Sequence, residues 1–420
     1  MNILPNSFEP ISLKRLASLN PYVSLPKSGA VDYVPMENIH QGYLDHQTEE
    51  ISSLPSSLNA FSEGDILLAK VTPCFENGNI AIASNLLTGV GLCSTELFVL
   101  RIHSDKILPE YLMLLLQDDQ FKKEAKSYMR GTGGLKRIPT DWLMSRKFLI
   151  PSLKHQRLII QAMSSSDSLI QDIQKGFKET LDRLSSYRQS LITRAVTKGL
   201  DPNVEMKASG VQWIGNMPSH WRICRVKNLF SVVCGATPSP NPQYWNGNIN
   251  WIGPSDMDEI GDVSSGKRSI TREGYESCGT TLVPQGSLVL STRAPVGKVN
   301  IAKGELCTNQ GCKSLVPLGS KNYTKYYYFV LQAAKDQLIQ DSSGTTFLEL
   351  STSALSDELL PLPSLDEQKR IVSFLEKIDE MVLELKVKLS DSIRLLNEYR
   401  SSLISAAVTG QLAIDEEASA

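Results

Sequence analysis

The sequence predicts an α+β protein organised as an internal repeat. Two similar domains of short strands and few helices are separated by two long antiparallel coiled-coil helices, related by a pseudo-two-fold axis. Three observations carry this. Residues 151–160 (PSLKHQRLII) return at 363–372 (PSLDEQKRIV), an offset of 212 residues. The same offset, with no gap, carries Tyr187, Arg188, Ser190, Leu191 and Ile192 onto Tyr399, Arg400, Ser402, Leu403 and Ile404. The regions ahead of the two copies also resemble each other, more weakly.

Taken in chain order, residues 1–150 form the first domain, 151–200 the first spacer helix, 201–210 a linker, 211–362 the second domain, 363–410 the second helix and 411–420 a tail. Within the first domain, EGDILLAKVTPCFENGNIAIA (63–83) is a Gly-led turn, a short apolar strand, a polar loop and a second strand; QGSLVLSTRAPVGKVNIA (285–302) repeats the pattern. LCST (92–95) matches LCTN (306–309). An amphipathic helix follows in each domain (109–127 and 323–340), and then a Gly-Thr loop: RGTGGLKRIPTDWL (130–143) against SGTTFLELSTSAL (343–355). Short alternating strands mixed with few helices define the α+β class.

Each long helix carries a 3,4-spaced apolar stripe over about four heptads, the seam of a coiled coil. In the first it runs through Ile170, Ile173, Phe177, Leu184, Tyr187 and Leu191; in the second, through Val382, Leu385, Leu389, Leu396, Tyr399 and Leu403. Pro151 and Pro363 mark the starts, and Gly199 and Gly410 the stops. At about 1.5 Å per residue each rod spans roughly 65 to 70 Å. Equivalent stripes from two halves of one chain pack most economically on each other; an internal two-fold axis across the rod would make them antiparallel, while the spacing alone also allows a parallel pairing. The linker GLDPNVEMKASG (199–210) is polar and rich in turn formers.

Composition bounds the function. The 420 residues carry a net charge of −2, which excludes a strongly basic coat protein and a charge-held membrane protein. No apolar run reaches the roughly 18 residues of a membrane span, and the N-terminus lacks signal-peptide regions, so a cytoplasmic location is expected. Seven cysteines without a CxxC pair, and five scattered histidines, give no zinc spacing; the cysteines are expected as small buried thiols.

Catalytic patterns fail in detail. GDVSSGK (261–267) lacks the Ser or Thr of a phosphate-binding loop, since Arg268 stands there, and no apolar strand precedes it. Asn241-Pro-Gln-Tyr244 is faintly like the Asn-Pro-Pro-Tyr loop of adenine methyltransferases, yet no strand followed by GxG offers a methyl-donor site. A binding and organising protein is expected, without metal or catalytic residues.

The half repeat, the PSLxxQxxI starts, the YRxSLIxxAVT ends and GVQWIGNMPSHW (210–221) leading into GATPSPNPQYW (235–245) together resemble the specificity (S) subunit of type I restriction-modification enzymes. The resemblance spans essentially the whole chain. It is weakest over the first 60 residues, where only SFEPISLKRLASLN (7–20) parallels HWRICRVKNLFSVV (220–233). It implies two target recognition domains, each reading one half of an interrupted, asymmetric site in double-stranded DNA. It also implies helices that set the gap and dock two methyltransferase subunits, which in turn recruit restriction and translocation subunits. Adenine methylation with S-adenosylmethionine, and the use of ATP and Mg, then belong to those partners, with no cofactor in this chain. The competing readings are a single-chain modification methyltransferase and a coiled-coil adaptor that binds no DNA.

Reading DNA takes donors at base edges and cations at phosphates. Residues 121–147 hold eight basic and two acidic residues, a local +6 inside a domain of net −2. Around its glycines backbone can approach phosphate closely. Arg130, Thr132, Lys136 and Arg137 are the candidates there, with Thr345 and Thr346 in the second domain's loop. Lys70 and Arg293, at comparable points after an apolar strand and ahead of Pro73 and Pro295, are candidates together with Thr72, Asn77 and Lys298; Arg293 is the expected guanine reader. Pairing with acids of the protein is the competing role for these cations. Tyr244 and Trp245 are assigned to buried aromatic core.

Overall fold

The computed structural model describes residues 8–132, 134–319, 322–343 and 348–412. The chain forms two compact units, and each takes half of each long helix: residues 1–177 with 390–420, and 178–389.

In the first unit, one sheet joins Ala17–Leu19, Leu97–Ile102, Ile66–Ala69 and Ile80–Ile82 in that spatial order, all antiparallel. A second sheet orders Gln47–Glu50, Ala30–Val34, Val90–Cys93 and Asn59–Ser62, with a parallel pair at its centre. Glu9–Ser12 pairs with Lys147–Ile150, so the first strand and the last strand before the long helix close the domain on itself. The second unit repeats the plan: Phe230–Cys234, Cys312–Pro317, Leu288–Ser291 and Val299–Ala302 form the antiparallel sheet, extended by Asp262–Val263. Trp245–Ile252 with Cys307–Thr308 is again a parallel pair, and Arg222–Arg225 with Leu359–Leu362 is the closing pair. The weak parallel between residues 7–20 and 220–233 is therefore structural, since both stretches run strand, single 3-10 turn, strand.

The amphipathic helix expected in each domain is broken in two. Pro109–Gln117 ends at Asp118, whose carboxylate accepts from the Phe121 amide and caps Asp119–Tyr128. Thr324–Ala333 and Lys335–Gln340 divide likewise at Ala334. The linker is not plain coil, because Met206–Ala208 pairs with Asn216–Pro218. Of the cysteines, Cys93, Cys307 and Cys312 are buried, and burial pushes their thiols up to about 12, 11 and 12. Cys74, Cys224 and Cys278 are half-buried and Cys234 is exposed, so the expectation of buried thiols fails at Cys234.

The long helices are continuous over Leu153–Lys198 and Leu365–Val408. Gly199, at φ 73°, is the left-handed residue that ends the first, donating its amide to Ala195 O. The glutamine of the PSLxxQ motif explains the motif. Gln156 is fully buried, accepts from Leu108 N at 2.9 Å, and donates to Lys106 O at 2.7 Å and Pro151 O at 2.9 Å. Gln368 does the same toward Tyr323 N and Pro363 O. Each helix is thereby locked onto the domain it leaves.

Within each unit the helix segments run antiparallel. In the first, Asp167 faces Arg400 and Gln174 faces Asn397, while Ile159 and Met163 share a core with Ile404, Ala407 and Val408. In the second, Arg188 faces Asp379, while Ile192, Ala195 and Val196 share a core with Ile371, Val372 and Leu375.

The seam differs from the expected stripe by one residue at three places. Ile170 and Val382 are buried, and Ile173, Phe177, Leu184, Leu191, Leu389, Leu396 and Leu403 are half-buried, but Leu385 is 42% exposed and Tyr187 and Tyr399 are 61% and 58% exposed. Lys386, Arg188 and Arg400 turn inward instead. Arginine is admitted because each guanidinium meets a carboxylate: Arg188 bonds Asp379 at 2.7 and 3.0 Å, and Arg400 bonds Asp167 at 2.8 Å twice. The two pairs are the same pair under the 212-residue offset. An apolar count selects the neighbouring tyrosine because it gives no weight to a paired charge.

Candidate nucleic-acid interface

In the first domain the strand Ile66–Ala69 runs into Lys70, and the Gly-Thr loop folds back over it. Lys70 N donates to Glu96 O, and Ile138 N donates to Lys70 O at 3.0 Å. Arg130 and Arg137 exchange backbone hydrogen bonds of 3.0 and 2.8 Å, which brings the two ends of this loop together. Thr72 clamps it: its hydroxyl donates to Gly134 O at 2.9 Å and accepts from Lys136 N at 3.0 Å. Thr72 is therefore spent on holding the loop. Gly131, at φ 147°, has no room for a Cβ, which would lie 2.2 Å from Leu135 O.

The cations divide sharply. Arg130 and Lys136 are exposed and have no side-chain partner among the described residues, and Thr132 and Asn77 are exposed on the same loops. Arg137 forks onto Glu96 at 2.8 and 2.7 Å, and that guanidinium holds the Glu96 carboxyl below its ordinary value. Lys70 is half-buried with its Nζ 5.5 Å from the Phe98 ring centre. The local +6 is smaller in space than in sequence. Lys122, Lys126 and Arg137 pair with Asp119, Glu76 and Glu96, all outside the segment, and Arg146 pairs with Glu124 inside it.

In the second domain the hydrogen bonds set a different alignment from the one read in sequence. Thr292 N donates to Gly311 O and Leu350 N donates to Thr292 O, so Thr292, not Arg293, is the counterpart of Lys70. Arg293 corresponds to Val71, and Glu349 to Arg137, because each of these is the facing pair of an isolated bridge. The Arg293 side chain is 43% exposed and donates from Nε to Glu349 Oε2 at 3.0 Å, with Nη2 2.9 Å from the same oxygen. Lys298 is only 17% exposed, donates to Met257 O at 2.9 Å and lies 3.7 Å from Glu259. It supports its own domain instead of projecting from it. Thr345 and Thr346 lie outside the described residues.

Trp245 is buried and Tyr244 half-buried, as assigned, but Trp245 carries Arg268 on its face at 3.4 Å, a cation–π contact not foreseen. Lys313 is also new: it is buried, donates to Leu350 O at 2.6 Å and lies 3.8 Å from Glu349. Glu96 and Glu349 went unassigned although both stand within or beside the repeated LCST and SGTTFLEL segments; the signal was an acid one loop away from each arginine. GDVSSGK runs into the strand Arg268–Ile270, not into a helix, so its amides do not form a phosphate cradle.

Each of the two units is an α+β domain with an antiparallel pair of helix segments and an arginine–carboxylate pair at a loop rim, which defines a paired-domain repeat protein. Residues 218–395 match the type I restriction modification DNA specificity domain, and the chain is similar to the specificity subunits of type I restriction-modification systems. The MjaIX specificity subunit of Methanocaldococcus jannaschii is 36% identical over 173 residues, 40% of each chain. The putative MjaX specificity subunit of the same organism is 26% identical over 84% of this chain and 79% of that one. The Escherichia coli EcoAI specificity subunit is 32% identical over 48% of this chain but 34% of its own length. The matches to MjaIX and EcoAI thus span well under two thirds of those relatives. In fold, the chain is similar to one solved in work on assembly and conformational transition of the type I R-M system, with a TM-score of 0.70, 21% identity, and coverage of 98% of this chain and 100% of that one. The HsdS subunit from Thermoanaerobacter tengcongensis aligns over 97% and 98%, with a TM-score of 0.50 and 20% identity.

Proposed function

We propose that this chain is the DNA-reading, non-catalytic subunit of a type I restriction-modification complex. Each recognition domain, residues 1–150 and 211–362, reads one half of a bipartite asymmetric site in double-stranded DNA. The long helices set the distance between half-sites and dock two methyltransferase subunits. Those partners bring S-adenosylmethionine for adenine methylation and recruit restriction subunits that use ATP and Mg. The complex acts in the cytoplasm; no helix among the described residues is long and apolar enough to cross a membrane.

The observation that carries this reading is the repeat at both levels. A related antiparallel sheet, a closing strand pair and a loop–strand junction occur in both domains, and each junction holds an arginine whose side chain is nearly half accessible. Two similar readers on one chain suit a target with two halves. Free cations such as Arg130 and Lys136 suit phosphates, while an oriented guanidinium suits a base edge.

Exchange of residues 1–150 for the corresponding domain of a relative tests it. In the assembled methyltransferase complex, mapping of methylated adenines should show one half of the recognised sequence changed and the other retained. A change in both halves, or in neither, rejects the modular reading.

A further inference from the structure

In both domains the rim arginine meets its carboxylate along the same edge. Arg137 donates from Nε and Nη2 to the two carboxylate oxygens of Glu96, and Arg293 donates from Nε to Glu349 Oε2 with its Nη2 2.9 Å from the same oxygen. Those two nitrogens form the side of the planar guanidinium fork. The end-on edge, Nη1 with the outer N–H of Nη2, is left unspent, and it is this edge whose paired donors match O6 and N7 of guanine in the major groove.

Three observations separate these pairs from ordinary ion pairing. The first is access: Arg137 and Arg293 are 48% and 43% exposed, whereas Arg188, paired side-on in the same way, is 6% exposed and spends Nη1 on Gln332. The second is position. Arg137 corresponds to Glu349 and Arg293 to Val71, so the two pairs stand at different places in the repeat and were not inherited as one copied contact. The third is rigidity. The Arg137 backbone is bonded on both sides to Arg130, while Glu349 faces Arg293 across a bridge and has the buried Lys313 ammonium 3.8 Å from its second oxygen.

Resting on the DNA-reading function proposed above, we propose that Arg137 and Arg293 each read one guanine, one per half-site, and that Glu96 and Glu349 are positioning residues that hold the fork with its end-on edge outward. The carboxylates also repel phosphate, so they favour specific over nonspecific contact.

The test maps methylated adenines in cells carrying the full complex, with the wild-type chain and with variants. The wild type should give a motif with guanine in each half. Glu96→Ala should relax one guanine position in one half only, and Glu349→Ala one position in the other, with the preference for guanine falling about tenfold or more. Arg137→Lys and Arg293→Lys should relax the same positions, because an ammonium has no planar fork. Glu96→Gln and Glu349→Gln, which keep one acceptor, should fall between, and they serve if an alanine variant fails to fold. Arg130→Ala should lower methylation at all sites while leaving the motif intact. An unchanged motif in the carboxylate variants, relaxation in both halves at once, or a half-site without guanine would overturn the inference. A wild-type complex with no sequence-dependent methylation would instead overturn the DNA-reading function itself, and this inference with it.

Discussion

Glu358, buried in the second domain, shows how a single side chain ties stability to pH. Burial pushes its carboxyl up, the neighbouring Asp341 adds to the rise, and the pKa reaches about 7 from an ordinary 4.5, although Trp213 Nε1 donates to it at 3.2 Å. A raised acid binds protons more tightly in the folded chain than in the unfolded one. Its stabilising effect is therefore complete below about 4.5 and is lost as pH rises through about 7. Chemical denaturation at pH 4.5, 6 and 8 should show a falling contribution on the order of 2 kcal/mol. Glu358→Gln should flatten that slope, becoming more stable than the wild type at pH 8; parallel profiles for the two proteins would refute the assignment. At this scale the sequence was least legible. Arg130 and Lys136 were found as exposed cations because a glycine-rich basic loop is visible in a line of text. The partner of Lys298, the Met257 carbonyl, lies 41 residues away and leaves no local mark in the sequence. Lys70 and Arg293 were equated one residue out of register because pattern matching follows side-chain chemistry, while strand register follows backbone hydrogen bonds.

The long helices were legible as elements because their signals are local and redundant: a proline before, a glycine after, and an apolar period between. The inner face was less so, since a seam in a two-helix pair is narrow and long polar side chains can line it with their stems. Arg188 and Arg400 are the test of that idea. Arg188 is 6% exposed, pairs with Asp379 and also reaches Gln332 at 3.1 Å, whereas Arg400 is 20% exposed and pairs with Asp167. Removing one member of a buried pair strands the other charge, a loss of about 3 kcal/mol in well-buried cases. Arg188→Ala should approach that loss, and Arg400→Ala should cost roughly half of it, since water reaches its partner more easily. Urea titrations of the two variants would measure the difference. Equal, near-zero losses would mean the arginines occupy the seam without stabilising it, and that the neighbouring apolar contacts suffice.

The chain's net charge of −2 is unevenly spread: the helix Leu153–Lys198 carries +4 and the helix Leu365–Val408 carries −1, so the two helices differ by five charges. That difference favours pairing of one helix with the other over pairing of like with like, and an antiparallel register is fixed further by the repeated Arg–Asp contacts. If the helices set the gap between half-sites, their length is a variable that can be changed without touching either reader. A heptad inserted between residues 177 and 178, with a matching heptad between 389 and 390, keeps the helices in register because the insertions fall at equivalent points of the repeat. Seven residues add about 10 Å of rise and turn the helix by only about 20° relative to a perfect repeat. Along B-DNA at about 3.4 Å per base pair, that is an expected increase of about three base pairs in the spacer, with both half-site sequences unchanged. Methylome mapping of the altered complex reads this directly. An unchanged gap would mean that the DNA bends, or that the partner subunits set the distance, and the helices would then be docking surfaces only.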